Sequence, residues 1–156
     1  QTVEKELAEV GISVPDTLMA AAHTHPYDLS GGQKQLLALT KVLATHPQLL
    51  LLDEPTKGLD STARERIAKT LRELRKSGLT IVCVTHDVDF AAAIADRCAF
   101  FFRGEITSMD APRRFFADNR FYTTAVCRIT RGYYDNAVTV ADAKALCKAN
   151  GYRREE

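Results

Sequence analysis

The chain contains no run of ~18 consecutive apolar residues, the length that spans a bilayer, and no basic-then-apolar segment at its start. Neither a membrane helix nor a secretory signal is therefore expected within it. It also lacks any C-x-x-C pair: Cys83, Cys98, Cys127 and Cys147 are too widely spaced for the common metal and redox motifs. Three of them fall in apolar stretches, where a free thiol behaves as a small hydrophobe, a usage that fits a reducing cytoplasm. Charge of one sign is missing too, because 21 Lys and Arg face 20 Asp and Glu for a formal net charge of +1. No electrostatic argument then favours a nucleic-acid partner or an acidic membrane surface. There is no internal repeat and no low-complexity tract. What remains is 156 residues of ordinary globular composition, 46% hydrophobic and 26% charged, enough for one modest domain.

Periodicity gives the organisation. Val3, Leu7 and Val10 recur at helical spacing before Gly11, and Pro15 opens a second short helix reaching Ala22. Because Gln1 stands at the edge of a helix already under way, the chain is expected to be an excised fragment of a larger domain. Residues 31–45 form the next helix, with Leu36, Leu37, Leu39, Val42, Leu43 and Ala44 expected on an inward face. Leu49 to Leu52, between Pro47 and Pro55, reads as a strand buried on both faces of a parallel sheet. An amphipathic helix follows over 61–77 with Ile67, Leu71 and Leu74 inward and Gly78 as its stop. Thr80 to Thr85 is the second buried strand, 90–96 a short helix, and Arg103-Gly104 a tight turn between strands 99–102 and 105–107. Helices over 112–118 and 140–150 complete an α/β architecture. The division expected is 1–46 as a helical subdomain, 47–108 as the sheet-bearing core and 109–156 as a C-terminal extension, with the tail Arg153 to Glu156 frayed.

Three segments carry chemistry. Ser30-Gly31-Gly32-Gln33 has capping-box spacing, and the plain reading is a well-made helix start. Two glycines after the cap also clear every side chain from the free first-turn amides, which suits close approach by a phosphate. Asp53 and Glu54 follow four leucines, and acidic groups directly after an apolar strand stand at the sheet edge where α/β folds bind ligands. Asp53 suits Mg2+, which takes one or two carboxylates plus phosphate oxygens and water; Glu54 is the candidate base. The plain alternative is that Asp53-Glu54-Pro55-Thr56 only turns the chain and caps a helix. His86, at the end of the second strand, would lie beside these carboxylates if the strands are neighbours, and could contact a terminal phosphate. His23, His25 and His46 take the default reading of solvated or structural residues.

In this order and at these spacings the segments resemble the nucleotide-binding domain of the ATP-binding cassette superfamily, over roughly residues 25–108. The resemblance implies a P-loop NTPase-like fold, with Leu29 to Gln33 as the signature motif and Leu49 to Asp53 as the Walker B strand. It further implies Glu54 as the catalytic glutamate, Gly58-Leu59-Asp60 as the D-loop, with Asp60 among the nucleotide-binding residues, and His86 as the switch histidine. One small departure is Leu36, where many members have Arg, a change expected to affect packing more than chemistry. The large departure is that no G-x-x-x-x-G-K-[ST] loop, which cradles the phosphates, occurs in the sequence. The nucleotide pocket is thus expected to be incomplete, and an apolar sheet face or edge to be left open.

The resemblance also implies ATP and Mg2+ as cofactors and a second cassette domain as partner, in a head-to-tail dimer. Ser30, Gly31, Gly32 and Gln33 would then serve nucleotide held by that partner, while Asp53, Glu54 and His86 serve nucleotide bound by their own subunit. Beyond residue 108, Phe115-Phe116, Asn119 to Ala125 and Arg128 to Arg131 resemble the C-terminal segment of energy-coupling-factor ATPases, which drive vitamin or metal uptake. That implies a transmembrane coupling subunit and a peripheral place on the cytoplasmic face of the membrane. The plain alternative is an aromatic-rich extension that covers the core or a dimer interface. Two other readings of the whole are a non-catalytic partner that lends its signature helix to a complete ATPase, and a soluble cassette protein of translation or repair. The neutral charge counts against the last.

Overall fold

The computed structural model describes residues 25–119, 122–134 and 137–151. The two helices expected before residue 23, and the tail from Arg153, lie outside the described residues. The chain divides into two compact units, residues 1–86 and 87–156.

In the first unit a 3-10 turn, Pro26–Asp28, leads into helix α1, Gly31–Leu43. Leu36, Leu39, Thr40 and Leu43 form its buried stripe, the i, i+3, i+4, i+7 spacing of one helical face. Thr40 can sit in that stripe because its hydroxyl donates to the Leu36 carbonyl at 2.8 Å. Val42 was expected inward but is 47% exposed, since its position on the helix lies off the stripe. Leu36, the departure from the usual Arg, is part of the core.

Strand β1, Leu49–Asp53, pairs in parallel with β2, Thr80–Val84, placing Leu50 opposite Ile81 and Asp53 opposite Val84. Helix α2, Ser61–Lys76, makes the crossover that parallel strands require. It starts at Asp60, whose carboxylate accepts from the Ala63 amide at 2.7 Å, and it buries Ile67, Ala68, Leu71 and Leu74 against β2 and α1. Its exit runs through Gly78 at φ +99°, a left-handed turn that suits glycine.

The expectation that both strands are buried on both faces is corrected. Burial alternates along β1: Leu50 is 2% exposed, whereas Leu51 is 68% exposed. Leu49, Val82 and Val84 share the open side, so only one face of the pair is covered among the described residues. The continuous apolar run was read correctly as a strand, and an open apolar face was expected; what differs is that one layer, not two, packs on it.

The second unit begins with helix α3, Val88–Ile94, two residues earlier than expected, because the Asp87 carboxylate caps it by accepting from the Phe90 amide at 3.0 Å. Strands β3, Cys98–Phe102, and β4, Glu105–Asp110, form an antiparallel hairpin. Arg103 (φ 51°) and Gly104 (φ 89°) both take the left-handed conformation that a two-residue hairpin turn demands. Helix α4, Pro112–Asp118, lies where the sequence put it. Helix α5, Ala125–Thr130, was not expected, and helix α6, Val140–Ala149, was. Ala92, Cys98, Phe116, Cys127 and Val138 make the core of this unit.

Candidate functional site

The capping box at α1 is formed in full: the Gln33 amide donates to Ser30 Oγ at 3.2 Å, and the Ser30 amide donates to Gln33 Oε1 at 2.8 Å. Leu29 is buried just before it, and Lys34 Nζ donates back to the Tyr27 carbonyl at 3.1 Å, so the entry to the helix is fixed on both sides. With Gln33 bonded to the cap and Lys34 to the Ser30 carbonyl, Gly31 and Gly32 supply the first-turn amides that have no acceptor within the helix. They stand at the positive end of its dipole.

The two glycines differ in what surrounds them. A β-carbon added to Gly31 would meet only Leu59 Cδ2, at 3.9 Å, ordinary contact distance. One added to Gly32 would come 2.7 Å from Ala63 Cβ, closer than real β-carbons approach. The start of α1 thus packs against the start of α2, next to the Asp60 cap. The clearance around Gly32 is filled by Ala63, so its lack of a side chain has a packing cause; only at Gly31 does the missing side chain leave room.

The second group gathers at the carboxyl ends of β1 and β2. The parallel register that sets Asp53 opposite Val84 carries Glu54 to the residues just after β2, and the Glu54 amide donates to the Val84 carbonyl at 2.8 Å. Glu54 sits at φ +46°, a left-handed conformation uncommon outside glycine and found at functional sites where the surroundings impose it. Its carboxylate, 26% exposed, receives three hydrogen bonds from two consecutive residues. His86 donates to Oε1 through its amide at 2.9 Å and through Nδ1 at 2.7 Å, and Thr85 Oγ1 donates to Oε2 at 3.1 Å. Since an ionised carboxylate only accepts, His86 Nδ1 carries the proton in this contact.

Burial pushes the Glu54 carboxyl upward, but the hydrogen bonds from His86 and Thr85 outweigh it and hold the group below the usual range. The same carboxylates act on β2. Cys83 is pushed up to about 11, first by burial and then by the negative charges of Glu54 and Asp53, which makes it an inert thiol. Asp53 is exposed at the end of β1.

No cluster of three His, Cys, Asp or Glu side chains among the described residues could cage a metal ion. The donor set fits the other mode, in which one carboxylate, Asp53, shares Mg2+ with phosphate oxygens and water. His86 was expected beside the carboxylates if the two strands were neighbours; β1 and β2 are neighbours, and His86 meets Glu54. Thr85 was missed as a site residue; its only signal was its place next to His86.

A family model described as "AAA domain, putative AbiEii toxin, Type IV TA system" matches residues 21–92. A Bacillus cereus protein described as "Putative ABC transporter ATP-binding protein" is 46% identical over 92% of this chain. The energy-coupling factor transporter ATP-binding protein EcfA of Methanococcus maripaludis is 36% identical over 83% of it. Among solved structures, cbiO1 of Clostridium perfringens, described as part of the ABC transporter complex cbiONQ, superposes with a TM-score of 0.62 at 32% identity over 75% of this chain. The chain is part of an ATP-binding cassette nucleotide-binding domain. The cassette has the α/β fold of P-loop NTPases, and the dimeric cassette solved with ADP and Pi matches it at 34% identity with a TM-score of 0.55. It covers 26% of the Bacillus relative, 52% of the Methanococcus one and 45% of the cbiO1 chain, so it spans about half or less of each.

Proposed function

We propose that this chain is the C-terminal portion of the ATPase subunit of an importer of the energy-coupling-factor type, which couples ATP hydrolysis to uptake of a vitamin or metal ion. The observation that carries the hydrolytic part of the reading is the Glu54 carboxylate gripped by Thr85 and His86 at the ends of two parallel strands, next to Asp53. Glu54 orients the attacking water for in-line displacement at the terminal phosphate. His86 holds Glu54 and presents an exposed ring to that phosphate. Asp53 would hold Mg2+, which would supply charge neutralisation at the transferring group when bound. Gly31 and Gly32 present the first-turn amides of α1, with Ser30 capping the helix beside them, to the nucleotide held by a second cassette domain, arranged head to tail. Gln33 keeps the cap closed, and Asp60 fixes the start of α2 beside it.

The importer class is supported by the 36% identity to EcfA and the likeness to cbiO1 of the cbiONQ complex. The coupling subunit would lie in the membrane, with this chain peripheral on its cytoplasmic side; no helix among the described residues is long and apolar enough to cross it. The test is MgATP binding and turnover by this chain alone, then mixed with a complete cassette domain. Gain of turnover in the mixture, lost in Ser30→Arg, supports the composite site. Turnover that survives Glu54→Gln in the full-length protein overturns the role of Glu54. Turnover of the full-length protein that survives Glu54→Gln but is lost in Ser30→Arg favours a non-catalytic partner.

A further inference from the structure

We propose that Thr85 is a positioning residue for the reaction: its hydroxyl fixes the second oxygen of the Glu54 carboxylate and so sets the plane in which that group meets water. The inference rests on the reading of Glu54 as the base and goes beyond it by assigning a residue that acts through Glu54. His86 makes two hydrogen bonds, but both end on Oε1. A carboxylate held at one oxygen still turns about its terminal bond, a torsion with a broad, shallow profile. The 3.1 Å bond from Thr85 Oγ1 to Oε2 removes that freedom.

Thr85 is well suited to the task. It directly follows β2, whose register with β1 is fixed along five residue pairs from Leu49–Thr80 to Asp53–Val84. Its branched side chain restricts χ1, so the hydroxyl is aimed by the strand rather than by chance. The acceptor end is equally constrained, since Glu54 leaves β1 at φ +46° with its amide on the Val84 carbonyl. A base placed a fraction of an ångström away from the water it orients loses rate without losing substrate.

The experiment measures ATP turnover and melting temperature of the full-length protein with Thr85→Val, Thr85→Ser and Glu54→Gln. Thr85→Val keeps the shape and deletes the hydroxyl; it is expected to lower kcat about tenfold with KM within about twofold, and Thr85→Ser to restore kcat. Unchanged kcat in Thr85→Val, with Glu54→Gln inactive, overturns the role of Thr85 and leaves that of Glu54 standing. Equal loss in Thr85→Ser and Thr85→Val also overturns it, because the methyl group and not the hydroxyl would then matter. Turnover retained by Glu54→Gln removes the base and this inference together. If Thr85→Val does not fold, Thr85→Ala against Thr85→Ser is read by the same criteria.

Discussion

Gly32 and Ala63 stand so close that a single methyl group on Gly32 would lie 2.7 Å from the Ala63 β-carbon, while the Ala63 α-carbon is 3.9 Å away. The first turns of α1 and α2 are therefore seated on one another. This predicts an asymmetric pair of effects. Gly32→Ala alone should destabilise the protein by about 1–3 kcal/mol through overpacking. Ala63→Gly in the same chain should recover most of that loss, because the new methyl then meets only the α-carbon at ordinary contact distance. Thermal melts of the two single variants and the double variant decide it. A double variant no better than Gly32→Ala would mean that overpacking against Ala63 is not what Gly32→Ala costs.

Ser30 caps α1 by accepting from the Gln33 amide. Ser30→Ala should cost about 1 kcal/mol of stability, whereas Ser30→Asp, which keeps an acceptor at the cap, should cost much less. Denaturant melts measure both. In the mixed ATPase assay Ser30→Asp should nonetheless lose activity, because it sets a negative charge where the triphosphate is proposed to sit.

The one-sided burial of β1 makes Leu50 and Leu51 opposites. Leu50→Ala should destabilise this chain by about 2–5 kcal/mol, the usual range for a buried leucine. Leu51→Lys should leave its melting temperature nearly unchanged and raise its solubility, since it breaks up an open apolar face. A large loss of stability in Leu51→Lys would show that this face is covered.

Asp142 ties the start of α6 together. It accepts from the Val138 and Thr139 amides at 3.1 and 2.8 Å and from the Thr139 hydroxyl at 2.8 Å, and Arg113 donates to it at 2.6 Å. Burial alone would raise its carboxyl, but these bonds, led by those from Thr139, hold it down at about 2, against an ordinary value of 3.8. A carboxyl lowered on folding adds stability that is fully present above the unfolded value and is lost as pH falls through the folded one. The contribution, on the order of 2 kcal/mol, should therefore fade between about pH 4 and pH 2. Asp142→Asn should melt lower at pH 7 and match the parent near pH 2, as followed by circular dichroism against pH.

Much of this molecule was legible in the order of its residues because the signals are local. The capping box of Ser30 and Gln33, the Arg103-Gly104 turn and the helix opened by Pro112 each depend on a few neighbouring residues, and each formed where expected. Helix α5 was not legible. It is six residues long, and its Thr124 cap is secured from a distance: the Thr124 hydroxyl donates to the Val138 carbonyl at 2.7 Å, and the Cys127 thiol to the Ala137 carbonyl at 3.2 Å. A helix that short draws its stability from such tertiary bonds rather than from propensity.

The same division holds at the site. The sequence by itself determined that Asp53 and Glu54 would end one strand and His86 would follow another, because one short apolar run lies between Pro47 and Pro55 and the other between Gly78 and His86-Asp87. It also determined that Ser30 would open a helix. Only the tertiary structure decided that β1 and β2 are neighbours in a register that sets Thr85 and His86 on the two oxygens of Glu54. It alone decided that Gly32 yields its space to Ala63. Contacts between residues some 30 positions apart depend on how strands pair and helices pack, and no local pattern of residue types encodes that.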